Sequence, residues 1–133
     1  METQTASPRA ELFRKLVVDP KVHLLSKADK MTIIVGILHR CDPELFNSLD
    51  NLTWPEGQAI LISRNRSNIE RTNRTAQIKP VLNSGFFIDT GHDNEAMRRL
   101  VEIMMRQLGV ESGLITQCKS LFTVKKRGEF SYW

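Results

Sequence analysis

The sequence predicts an α+β domain: N-terminal helices, a mainly antiparallel sheet, one long amphipathic helix (about 94–108) packed on that sheet, and a C-terminal β-hairpin. Three observations predict this class. Met97, Leu100, Val101, Met104 and Leu108 recur at the spacing of one helix face, with Arg98, Arg99, Glu102 and Arg106 opposite. Segments 58–63, 76–82 and 86–89 are short apolar runs bounded by turn residues, as strands are. The first 50 residues carry helical periods and helix caps instead.

Taken in order, residues 1–6 form a loose tail of a single domain, 1–133. Ser7-Pro8 opens a helix whose apolar side is Leu12, Phe13, Leu16 and Val17, and Asp19-Pro20 stops it. Ser26 caps a second helix through Met31, Ile34, Val35 and Leu38. The run Thr32-Ile33-Ile34-Val35 would also suit a buried strand, but the spacing fits a helix better. Asp42-Pro43-Glu44 opens a short helix through Leu49.

A turn follows over 51–57, with Trp54-Pro55 anchoring it to the core. Strands are expected at 58–63, at 76–82 (where Pro80 demands an edge) and at 86–89. In the long helix, Asp93 or Asn94 is the cap, Glu95–Arg99 and Glu102–Arg106 are i,i+4 pairs, and Gly109 fits the position past the end. Residues 114–124 and 129–133 read as a hairpin around Lys125-Lys126-Arg127-Gly128.

Composition narrows the function. No apolar run approaches a membrane span, and residues 1–13 lack a signal-peptide pattern. Cys41 and Cys118 are too few and too far apart for a disulfide framework, which points inside the cell. The net charge is +4; residues 1–50 balance at seven of each sign, and residues 51–133 hold twelve positive against eight negative. That excess permits a polyanionic partner.

The segment Arg64–Arg74, RNRSNIERTNR, places Arg64, Arg66, Arg71 and Arg74 among Asn, Ser and Thr with a single Glu. Guanidinium forks match phosphate oxygens, so the stretch reads either as a mobile arm gripping a nucleic-acid backbone or as a solvated hairpin loop. Lys125, Lys126 and Arg127, followed by Phe130, Tyr132 and Trp133, form a second candidate: either a basic turn beside exposed aromatics that holds single-stranded RNA, or a basic hairpin tip that keeps an edge strand soluble with Phe130 and Tyr132 in the core. Ile103 and Trp133 lie outside the apolar stripes and are candidate oligomer contacts.

Phe86-Phe87-Ile88-Asp89-Thr90-Gly91, with the hairpin before it, resembles the aspartic protease signature over about fifteen residues. The resemblance implies two subunits that pair their aspartates to share a proton. It breaks at His92, where a small residue is usual, and at the helix that follows. His39 and Cys41 lack the further ligands of a zinc site, and no phosphate loop or dinucleotide fingerprint is present.

The leading expectation is a small, non-enzymatic nucleic-acid-binding protein, favouring RNA, that acts as a homo-oligomer without cofactor, metal or membrane. The alternative is a protein-interaction or assembly module such as a viral or phage accessory protein. The third is an enzyme built on Asp89-Thr90-Gly91.

Overall fold

The computed structural model describes residues 8–123. The elements in order are α1 (Pro8–Val18), α2 (Pro20–His23), α3 (Lys27–Cys41), α4 (Pro43–Phe46), a 3-10 turn (Asn47–Leu49), β1 (Leu52–Thr53), β2 (Ile60–Ser63), α5 (Arg66–Thr72), β3 (Ile78–Val81), β4 (Phe86–Asp89), α6 (Asn94–Gln107) and α7 (Ser112–Lys119).

Helices start where a short oxygen-bearing side chain can accept from the first free N–H groups. Ser26, Asp42 and Asp93 accept from Asp29 N, Leu45 N and Ala96 N at 3.1, 3.0 and 2.8 Å. Asp19 does the same for Lys21 N at 2.9 Å, so Pro20 ends one helix and becomes the first residue of the next. α6 closes in a Schellman motif: Gly109 has φ 73°, Val110 N donates to Met105 O at 2.9 Å, and Gly109 N to Arg106 O at 3.1 Å.

The sheet runs β1-β2-β4-β3, with every pair antiparallel. Since β2 and β3 both oppose β4, they run parallel to each other. Their connection must therefore cross β4, and α5 lies in that crossover. The registers Ile62↔Ile88 and Val81↔Phe86 put these four residues on one face. That face shares a core with Met31, Ile34, Val35 and Leu38 of α3 and Met97, Leu100, Val101 and Met104 of α6. Ser63, Phe87 and Asp89 point to the other face, where α5 packs on β2 and β4 and buries Ile69. The order of layers is thus helices, sheet, then one short helix.

Pro80 sits where the edge tolerates it. Thr90 N donates to Gln77 O at 2.8 Å, so the alternation of the ladder turns the nitrogens of residues 78 and 80 outward, away from β4.

The α+β class and the antiparallel sheet hold, and Met97, Leu100, Val101, Met104, Met105 and Leu108 are all buried. Four local expectations change. Segment 114–124 is not a strand over its described residues, 114–123: Leu114, Ile115 and Cys118 bury one side of α7, which packs on α1 and α6, and helical spacing wins over the β-branched pair Ile115-Thr116. The rest of that expected hairpin, 124–133, lies outside the described residues; among the described residues consecutive strands pair antiparallel at β1–β2 and at β3–β4. Residues 64–74 contain α5 rather than a loop or arm. Leu52–Thr53, expected as turn, pairs as β1. Arg99 turns away from Glu95 to grip Glu56 with two bonds of 2.6 Å while lying over the Trp54 ring.

Two predictions follow from the packing of α7. Lys119 first, then Arg106, hold the Glu102 carboxyl below its ordinary range, through bonds of 2.5 and 2.9 Å. A depressed folded-state pKa means the stabilisation is complete above the unfolded value and lost as pH falls through the folded one. Lys119→Met should therefore lower the free energy of urea unfolding near neutral pH by roughly 0.5 kcal/mol, as befits a half-exposed pair. The gap from the parent protein should close below about pH 4. Burial pushes the Cys118 thiol up to about 12, whereas Cys41 is half-exposed. Alkylation should mark Cys41 in the native protein and Cys118 only on unfolding, read by mass spectrometry.

Candidate nucleic-acid interface

α5 has seven residues and a single buried apolar side chain, Ile69, so propensity and packing alone would not hold it. Polar side chains fix both ends. Asn65 caps it, accepting from Ser67 N at 3.0 Å and Ser67 Oγ at 2.6 Å. The buried Ser63 hydroxyl accepts from Asn65 N at 3.0 Å and donates to Asn51 Oδ1 at 2.7 Å. Asn51 Oδ1 also accepts from Asn68 Nδ2 at 3.2 Å. Asn51 itself has φ 62°, a left-handed conformation that asparagine tolerates. At the far end, Thr72 Oγ1 accepts from Ile60 N at 2.8 Å, and Asn73 Nδ2 donates to Asp89 Oδ2 at 3.3 Å.

The neutral polar residues expected to supply donors to phosphate are thus largely engaged within the protein. They anchor the helix that displays the arginines.

Ile69 is buried against the sheet and Thr72 Oγ1 meets Ile60 N, while Arg66, Ser67, Glu70 and Arg71 are exposed. Arg66 reaches Glu70 at 3.5 Å, an exposed pair worth little. Arg71 donates to Asn68 Oδ1, a neutral partner. The Arg74 side chain is exposed and makes no hydrogen bond or ion pair among the described residues. These three remain available to an external anion.

Arg64 is placed differently. It follows Ser63 and points with Ile62 to the core face, where its guanidinium lies 4.7 Å above the Phe86 ring and donates to Asn47 Oδ1. Its backbone N–H donates to Asp50 Oδ1 at 2.9 Å. The sheet separates it from the α5 arginines. Lys125, Lys126, Arg127 and Trp133 lie outside the described residues. Ile103 is half-buried on α6, and among the described residues the exposed large apolar side chains are instead Val18, Leu24, Leu25, Leu45 and Leu82.

Asp89, the protease-like aspartate, is 1% exposed. Its Oδ1 accepts from Gln77 N at 3.0 Å and Gly91 N at 2.9 Å; Oδ2 accepts from Asn73 and lies 3.6 Å from His92 Nε2. Thr90 Oγ1 donates to Gln77 O at 2.8 Å. A Cβ on Gly91 would stand 3.2 Å from Gln77 Cγ and 3.3 Å from Asp89 Oδ1, so the close approach calls for glycine. All three motif residues are spent on locking two turns together. The hub is not legible in the sequence because its partners are two backbone N–H groups and an asparagine, and the crossover decides where Gln77 and Asn73 lie.

Asp89→Ala should cost on the order of 3 kcal/mol in urea unfolding, since it strands buried donors. Asp89→Asn should cost about 1–2 kcal/mol, because its amide would face the Asn73 amide donor-to-donor. An Asp89→Asn protein of unchanged stability would move the residue from scaffold to chemistry.

No protein-family model matches the sequence, and no curated protein matches it. Among solved structures, the fold is similar to the crystal structure of V. cholerae SeqA, with a TM-score of 0.72 at 20% sequence identity over 85% of this chain and 96% of that chain. At that identity the likeness shows the fold alone.

Proposed function

We propose that this protein is a non-enzymatic nucleic-acid-binding protein that meets the phosphate backbone with the outer face of α5. The observation that carries the reading is the display toward solvent of Arg66 and Arg71 on α5 and of Arg74 two residues past its end, opposed by one exposed carboxylate, Glu70. A guanidinium that needs no reorganisation loses less freedom on meeting phosphate than one on a flexible arm. Rigid presentation suits a target whose phosphates are themselves held at fixed spacing, so a duplex is favoured over a flexible single strand. The preference for RNA over DNA drew on the basic turn and aromatics of 125–133, and both duplexes belong in the test.

Three phosphate contacts give modest affinity, and a homo-oligomer that doubles them is the working unit we propose. Two free cysteines and the absence of a disulfide fit action inside the cell. The fold likeness to SeqA is compatible with this reading. A second reading, a protein-interaction module, draws on Val18 and Leu24, which are 76% and 87% exposed near the α1–α2 junction.

Binding of fluorescent duplex DNA and duplex RNA, measured by anisotropy across a salt series, tests the proposal. With three contacts, the slope of log K against log salt should be about −2.7 per protomer for DNA. Arg71→Ala and Arg74→Ala should each flatten it by about 0.9, and Arg64→Ala should leave it unchanged. An affinity that is undetectable, or indifferent to salt, overturns the reading and favours the interaction module.

A further inference from the structure

We infer that the groove between α3 and the edge strand β3 is a binding site for a small amphipathic carboxylate, with its apolar tail in the groove and its head at Arg40. The cavity measures about 460 Å³, within the range of small-ligand sites. Ile33 and Ile37 of α3 form one wall and pack from behind against the core. Pro43 and Pro80 form others, and a proline ring has little freedom to lose when a ligand arrives.

Two further observations point to an occupant. The first is Gly36, in the middle of the fifteen-residue α3. Glycine weakens a helix interior relative to alanine, so a mid-helix glycine needs a reason. Packing supplies none: a Cβ there would meet no atom within 4 Å, and the residue is not in the left-handed region. The missing side chain leaves room in the groove. The second is charge. Arg40 at the mouth is exposed, its side chain makes no hydrogen bond or ion pair among the described residues, and no Asp or Glu lines the groove. His39, beside it, is held edge-on to Phe46 at 5.2 Å. An apolar trough with one unengaged guanidinium complements an apolar tail ending in a carboxylate, which the planar fork can bind through two oxygens.

The test uses the full chain, titrated with decanoate and separately with decyltrimethylammonium, and followed by backbone amide NMR. Decanoate should bind one-to-one and shift the amides of Ile33, Gly36, Ile37 and Leu82. Arg40→Gln should weaken decanoate about tenfold. Gly36→Leu projects a side chain into the groove from a Cβ that meets no atom within 4 Å; it should keep the parent melting temperature or raise it, yet abolish saturable binding. Equal binding of the ammonium, shifts centred elsewhere, or undiminished binding by Gly36→Leu overturns the assignment. A concentration-dependent dimer dispersed by Gly36→Leu also overturns it, because the groove then belongs to a second copy of the chain.

Discussion

The fold depends on a buried carboxylate. Asp89 ends β4 with its charge almost wholly out of water, a placement that costs several kcal/mol unless donors surround it. The donors come from three directions: Gln77 N ahead of β3, Gly91 N in the turn toward α6, and Asn73 just past α5. The N-terminus of α6 follows within four residues, where negative charge is favoured. One side chain thus fixes where the crossover lands, where β3 starts and how the chain turns into the long helix.

The crossover explains the rest of the outer face. A connection from β2 to β3 must span β4, and here it does so with a helix too short to be stable alone. Ser63, Asn65, Asn68, Thr72 and Asn73 supply the bonds that a longer apolar stripe would otherwise replace. Side chains chosen for short reach and mixed donor–acceptor character do this well, because each can satisfy two neighbours at once. The arginines between them are left to point outward.

Legibility in the sequence tracks the length and purity of the periodic signal. α6 is readable because fourteen residues repeat one pattern and a Gly closes it, while its cap, open in the sequence between Asp93 and Asn94, is Asp93. α3 was ambiguous over Thr32–Val35, and burial of Met31, Ile34, Val35 and Leu38 on one side resolves it as helix. α7 passes for a strand in the sequence because eight residues give too few turns to separate helical from strand spacing, and its apolar side is defined by α1 and α6. α5 was invisible as a helix: Ile69 alone sets no period, and its caps look like ordinary loop residues. The exposure of Arg66, Arg71 and Arg74 could be read from their polar surroundings. The fixation of Arg64 could not, since Phe86 stands twenty-two residues away and meets it only through the β2–β4 register.

That last pair shows how the sheet divides its chemistry. Phe86 carries Arg64 on its ring, packs edge-on to Phe46 at 4.8 Å and lies 6.1 Å from His39 at the α3 groove. A cation over an aromatic face is held by the ring quadrupole and by the apolar contact of the flat guanidinium. Lysine, with a compact and strongly hydrated charge, would lose the stacking and the reach to Asn47 together. Arg64 therefore belongs with the packing of the core face, although it sits in the same run as the α5 arginines. Alternation along β2 decides the matter: Ile62 and Arg64 go to one side and Ser63 to the other, so neighbours in sequence serve opposite faces of the sheet.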